Sequence, residues 1–262
     1  MSPAGVVGAP RTVHVEHCMG TVFSIDIRDP GSWATAIAEV VAWLHRVDQV
    51  FSTYKAGSDI SRIRRGERAV ADADPHVAEV LNLCDVVEAE TDGYFSARWD
   101  GGIDPTGLVK GWAIERASRI LRAHGSHNHL VNGGGDVQLA GEPAPGEAWG
   151  VGISDPLDRS RLLTIVSGRD LAVATSGTTE RGAHIVDPHG AGPARDLASV
   201  TVVGRSLTRV DAYATAAFAM GRPALPWIER WGHEALMVLA GGTVTWTPGF
   251  VELVPRPGGG TL

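Results

Sequence analysis

The 262-residue chain is short of several things, and each shortage excludes a class. It has two cysteines, Cys18 and Cys84, far apart and in no CxxC spacing, so neither a thiolate zinc site nor a dithiol redox motif is encoded, and a reducing compartment fits. No apolar run reaches the roughly 18–20 residues a membrane-spanning helix needs. The first residues lack a charged start followed by an apolar core, so no secretory or lipoprotein signal is expected, and the expected location is the cytoplasm. Net charge is -7, and basic residues cluster only at Arg62, Arg64, Arg65 and Arg68, which argues against nucleic acid as the main partner. Lysine is the scarcest charge: of 23 Lys and Arg residues, only Lys55 and Lys110 are lysines.

Common site motifs are missing as well. NGGGDVQ fails the dinucleotide fingerprint because Gln138 stands at the last glycine position, and GxxxxGK[ST], HExxH and GxSxG do not occur. Ser52-Thr53-Tyr54-Lys55 satisfies the SxxK of serine β-lactamases, but no lysine follows Lys110 to build their second motif, so such a hydrolase stays a remote alternative.

What is present is globular: 44% hydrophobic and 20% charged residues, with 33 Gly and 15 Pro cutting the chain into short elements. Residues 12–27 alternate around Met19-Gly20 as two strands joined by a turn. Residues 33–50 take helical spacing, with Ile37, Val40, Val41, Leu44, Val47 and Val50 on one stripe. Ser58 or Asp59 can cap a short helix, Asp74-Pro75 opens a long one, and a third runs from Leu108 to about His124 before Gly125. Short apolar runs cut by glycine follow: HLVNGGGDVQLAG, WGVGIS, LLTIVSG, LAVATSG, HIVDP and ASVTVVG. They read as strands of one largely antiparallel sheet. Ser206 or Thr208 can cap a helix through Ala219, and residues 224–231 can form another. ALMVL, TVTW and FVELV are expected to close the chain as strands. The order is α+β, with two lobes sharing one sheet in a single domain over residues 1–262.

Five segments stand out together: MGTVFSIDI, FSTYKAGSDISRI, IDPTGLVKGWAIE, VNGGGDV, and ATSGTTERGAHIVDP followed by VDAYATAAFAMG. Their order and spacing resemble the ApbE family of flavin transferases from Met19 to Gly221, the motif-bearing part of a region of about 12–221. The resemblance implies an ApbE-like (T-fold-like) two-lobed α+β structure with a largely antiparallel sheet flanked by helices. It implies an enzyme that binds FAD, uses Mg2+, transfers the FMN half to a Thr or Ser hydroxyl of an acceptor flavoprotein, and releases AMP. Some relatives hydrolyse FAD to FMN and AMP instead, and a flavin-binding module without catalysis is a further alternative. Met19, Tyr54, Asp104 and Lys110 fall where the family contacts FAD. Asp211 and Thr215 fall where it holds the metal, with the Gly107 carbonyl as a further ligand, and His184 matches a histidine assigned to proton transfer. A monomer or homodimer is expected.

The residue types make chemical sense beside the resemblance. Cleaving a pyrophosphate needs charge neutralised on the phosphates, which a hard cation with oxygen ligands supplies. Asp211 and Thr215, four apart in a helix, share one face, although a capping Asp and a Thr bonded to its own helix give the same pattern. Gly133, Gly134 and Gly135 before Asp136 let backbone approach a ligand, or make a plain strand turn. Tyr54 suits stacking on a flat ring or half-buried packing. Asp104 suits a cofactor hydrogen bond or a helix cap. Lys110, expected in the first turn of its helix, opposes the dipole preference and so suits an anion. The sequence departs from the family pattern at Gly190-Ala191, Ser96 and Ala214.

Overall fold

The computed structural model describes residues 11–99, 102–177, 186–187, 189, 192–194 and 196–255. Its strands are β1 (Thr12–Cys18), β2 (Thr21–Ile27), β3 (Arg98–Trp99), β4 (Gly102–Ile103), β5 (His129–Gly133), β6 (Asp136–Ala140), β7 (Trp149–Ser154), β8 (Leu162–Gly168), β9 (Ala172–Gly177), β10 (Val186–Asp187), β11 (Gly192–Pro193), β12 (Leu197–Gly204), β13 (Glu234–Leu239) and β14 (Val244–Trp246). The helices are α1 (Ala34–Phe51), α2 (Asp59–Arg64), α3 (Pro75–Glu90), α4 (Thr106–Ala123), α5 (Leu207–Met220) and α6 (Ala224–Arg230).

Among the described residues, eight strands form one sheet in the order β1-β2-β5-β6-β9-β12-β13-β14, and every neighbouring pair is antiparallel. The α+β expectation therefore holds. Strand alternation sends Phe23, Ile25, Val131, Ala174, Val200, Val202 and Met237 into a core shared with the helices. The intervening residues Val137, Leu139, Val173, Val203, Leu236 and Val238 enter a second core on the opposite face, under Trp149, Val151, Ile153, Val166 and Phe250.

Several sequence expectations need correction. WGVGIS and LLTIVSG are strands, but β7 and β8 pair only with each other and cover the second face of the sheet instead of extending it. The HIVDP segment contributes β10, which pairs with β11 outside the large sheet. FVELV is not a strand, since Pro248–Leu253 coil into a 3-10 helix. Pro248 has no N–H for a ladder, and the tight turn lets the buried Phe250 plug the second core while Val251 stays exposed. Helices therefore cover one face of the sheet, and the β7–β8 hairpin and this turn cover the other.

Local signals set most helix starts. Ser58 accepts a hydrogen bond from the Ser61 N–H, and Asp74 accepts one from the His76 N–H ahead of Pro75. The start of α5 is different, because neither Ser206 nor Thr208 caps it with its own hydroxyl. Glu115 of α4 accepts from the Ser206 hydroxyl (2.7 Å), the Thr208 N–H (2.9 Å) and the Thr208 hydroxyl (2.7 Å). The Gln138 amide oxygen takes the Leu207 N–H at 3.1 Å. Burial alone would raise the Glu115 carboxyl, but these hydrogen bonds and Arg119 hold it below the usual glutamate range. Thus α4 and β6 supply the acceptors that α5 lacks, and α5 is locked against both.

Candidate active site

The site grows from one end of the sheet, at the β1–β2 and β5–β6 turns. Met19 and Gly20 both have positive φ, 52° and 70°, in a two-residue turn of a tight antiparallel pair. A methionine in the left-handed region is uncommon, so the turn's geometry outweighs the residue's preference. Gly134 and Gly135 make the matching turn at φ 62° and 96°. A Cβ on Gly133 would lie 2.5 Å from the Phe23 ring, and one on Gly134 would lie 2.9 Å from the Thr21 hydroxyl. The Gly134 N–H donates to the Val22 carbonyl and the Gly135 N–H to the Asn132 side chain. Packing and turn geometry thus account for this glycine run, and these two amides are spent within the protein.

Directly after the turn, β6 sends Asp136 and Gln138 to the helix side and Val137 and Leu139 to the other. Asp136 is 1% exposed. Its Oδ1 accepts the Thr175 N–H of β9 at 3.0 Å, and its Oδ2 lies 2.6 Å from the Lys110 ammonium. Lys110 Nζ is also 4.0 Å from Asp211 Oδ1, so the lysine stands between a strand carboxylate and a helix carboxylate. Helix α4 begins at Thr106, two residues before the expected start, so Lys110 sits in its second turn rather than its first. The dipole argument weakens accordingly, and the described anions beside Lys110 include Asp136 and Asp211.

Asp211 is buried in the second turn of α5 and caps nothing on its own helix. Its Oδ2 accepts the Gly111 N–H at 2.8 Å, across the α4–α5 contact. That contact demands glycine: a Cβ at position 111 would meet the Leu207 carbonyl oxygen at 2.5 Å and Asp211 Cβ at 2.7 Å. Burial pushes the Asp211 carboxyl well above the usual aspartate range, Lys110 opposes this, and the neighbouring Asp136 charge adds to it. Thr215, one turn on, donates its hydroxyl to the Asp211 carbonyl at 3.3 Å, the bond expected of a threonine satisfied within its helix. The hydroxyl's lone pairs remain able to accept or ligate. A Cβ on Gly107 would lie 3.7 Å from Thr215 Cγ2, so the starts of α4 and this face of α5 adjoin. The structure therefore brings together Gly107, Lys110, Asp136, Asp211 and Thr215.

The remaining sequence candidates fall around this centre. Asp104 accepts the Thr106 N–H at 3.0 Å, so one of its oxygens serves the first turn of α4. Tyr54 is 93% exposed on the α1–α2 loop, which excludes half-buried packing for it. The SxxK resemblance dissolves, since Ser52 Oγ accepts the Tyr54 N–H while Lys55 pairs with Asp48. Ser96 makes a local turn with the Arg98 backbone. His184, Gly190 and Ala191 lie outside the described residues. Among the described residues, no three His, Cys, Asp or Glu side chains converge as a metal cage. Sequence reasoning missed Gly111 and Glu115, although Glu115 lies in the IDPTGLVKGWAIE segment and Gly111 directly follows its lysine.

The ApbE family model matches residues 19–100 and 96–237. An FAD:protein FMN transferase of Vibrio cholerae is 31% identical over 129 residues, covering 45% of this chain and 39% of that protein. One from Salmonella typhimurium is 27% identical, covering 53% of this chain and 43% of that protein. The chain thus spans less than half the length of these two curated relatives. A third, from Haemophilus influenzae, is 23% identical and covers 78% of this chain and 79% of its own length. In fold, the chain resembles the ApbE protein of Thermotoga maritima, with a TM-score of 0.86, 22% identity, and coverage of 94% of this chain and 100% of that one. It also resembles the flavin transferase ApbE of Vibrio cholerae, with a TM-score of 0.81, 21% identity, and coverage of 94% and 99%. With the matched segments spanning well over half of its length, the chain belongs to the ApbE family.

Proposed function

We propose that this protein is a flavin transferase that moves the FMN half of FAD onto a Thr or Ser hydroxyl of an acceptor flavoprotein and releases AMP. The observation that carries the reading is the Lys110 ammonium held between Asp136 and Asp211 at the turn-rich end of the sheet, in a member of this family. The resemblance of the motif residues supports FAD contacts at Met19, Tyr54, Asp104 and Lys110. The bare ring of Tyr54 offers a stacking face.

The donor set fits Mg2+. Asp211 gives a buried carboxylate, Thr215 a hydroxyl and Gly107 a backbone carbonyl, all hard oxygen donors, and this ion commonly completes its shell with water and substrate phosphate. When bound, it would supply charge neutralisation on the pyrophosphate. Lys110 contributes a second positive charge to the same anion. In the transfer, the acceptor oxygen forms a bond to the FMN phosphorus as the bond from that phosphorus to the bridging oxygen breaks. AMP leaves with the bridging oxygen, and the acceptor hydroxyl proton passes to a base, the role proposed for His184.

Incubation of the protein with FAD, Mg2+ and candidate acceptor flavoproteins is expected to yield an acceptor heavier by one FMN, with stoichiometric AMP. Undiminished FAD consumption without acceptor, and no adduct with it, would replace the transferase by a pyrophosphatase using water. Changing His184→Ala should keep FAD affinity within about tenfold while slowing AMP release by about 100-fold or more. Joint loss of binding and turnover would move the base elsewhere.

A further inference from the structure

Asp136 carries a negative charge into a site that has to receive an anion, which calls for an explanation. Its Oδ1 accepts the Thr175 N–H at 3.0 Å, and its Oδ2, with no hydrogen-bond partner among the described residues, lies 2.6 Å from the Lys110 ammonium as an ion pair. It is 1% exposed, whereas the Lys110 side chain is 20% exposed, so the lysine lies on the outer side of the pair. The carboxylate is fixed from both ends, by the β5–β6 turn just before it and by β9 through Thr175. Lysine has a long flexible stem that loses considerable rotamer entropy when held. A buried ion pair is poor value for stability alone, since an apolar pair of similar volume often does as well.

We propose that Asp136 is a positioning residue: it touches no substrate, and it holds the Lys110 ammonium where the FAD pyrophosphate binds. This rests on the flavin reading above. It assigns Asp136 to the lysine rather than to the cofactor, and it makes Thr175 the anchor that keeps the carboxylate from swinging away.

The test exploits a difference in sign. If Asp136 acted on FAD only through its charge, removing that charge would remove repulsion, and Asp136→Asn would bind FAD more tightly. Positioning requires the opposite. FAD and riboflavin affinities should be measured by equilibrium titration for the unmodified protein, Asp136→Asn, Lys110→Met and the double variant, with thermal unfolding of each. The expected result is FAD affinity at least fivefold weaker in Asp136→Asn, riboflavin affinity unchanged within twofold, and no further loss from Asp136→Asn in the Lys110→Met background. Tighter or unchanged FAD binding in Asp136→Asn overturns the proposal, as do additive losses in the double variant. Equal losses for FAD and riboflavin, with a lowered unfolding midpoint, overturn it in favour of a purely structural pair. FAD binding absent from the unmodified protein would remove the flavin reading and this role with it, an outcome distinct from all of these.

Discussion

The two faces of the large sheet bury similar strands under different kinds of cover. On the hairpin face, Trp149, Ile153, Val166 and Phe250 close over Val137, Leu139, Val173 and Val238 in an apolar core. On the helix face, the same strands bury Asp136, Gln138 and His129 alongside the hydrocarbon. The difference lies in what the cover can donate. Helices bring unpaired N–H groups at their starts and, at glycine, close backbone approach. Gln138 therefore finds the Leu207 N–H, and Asp211 finds the Gly111 N–H. A hairpin such as β7–β8 directs its backbone groups along its own plane rather than at the sheet, and the Thr175 and Thr201 hydroxyls, which alternation places on that face with Val173 and Val203, bond to each other at 2.8 Å. Buried polar chemistry collects where unspent donors are.

The comparison can be broken from either side. The largest stability effect is expected on the apolar face, where Phe250→Ala should cost about 3–5 kcal/mol in denaturant unfolding. AMP release per folded molecule should change less than twofold, and a larger change would tie the hairpin face to the chemistry. On the helix face, Asp211→Ala should lower AMP release by about 100-fold or more, about 2.7 kcal/mol in barrier. The variant should remain folded by circular dichroism. Full activity would leave Asp211 as a partner of Gly111 and nothing more.

A third effect belongs to His129, fully buried between the Ser118 and Ser126 hydroxyls, where burial pushes its pKa down to about 4. Because the folded protein disfavours the charged form, its contribution is complete above the ordinary value near 6.5 and is lost as pH falls toward 4. About 2 kcal/mol should disappear between pH 7.5 and 5, read as a falling denaturant midpoint, and His129→Gln should flatten that slope. An equally steep slope in the variant would assign the loss to other groups. The smallest effect is Tyr54→Ala. With the ring 93% exposed, the melting temperature should not move, while FAD affinity should weaken about three- to tenfold. Unchanged affinity would remove Tyr54 from the site.

Much of this was legible in the sequence. Alternation around Met19-Gly20 located β1 and β2, Asp74-Pro75 marked the start of α3, and the motif segments brought Gly107, Lys110, Asp136, Asp211 and Thr215 into consideration before any geometry was known. The errors fell where a local pattern has two tertiary outcomes. Pro248 turned FVELV from a strand into a 3-10 turn, and Ser206 and Thr208 gave up their capping role to Glu115.

The sequence by itself determined the elements and the types of side chain available, because helix stripes, strand alternation, caps and turn residues act over a few positions. Only the tertiary structure decided what those side chains do. DVQLA reads as a strand with one polar and one apolar face, a pattern that ordinarily puts the polar face in water. Here both faces are buried, and Asp136 and Gln138 meet groups far along the chain, Thr175, Lys110 and Leu207. Burying a charge is costly without a partner, and no local rule names a partner that is distant in sequence. The close packing of α4 on α5 at Gly111 supplies the proximity, and with it the Lys110–Asp211 contact around which the site is built.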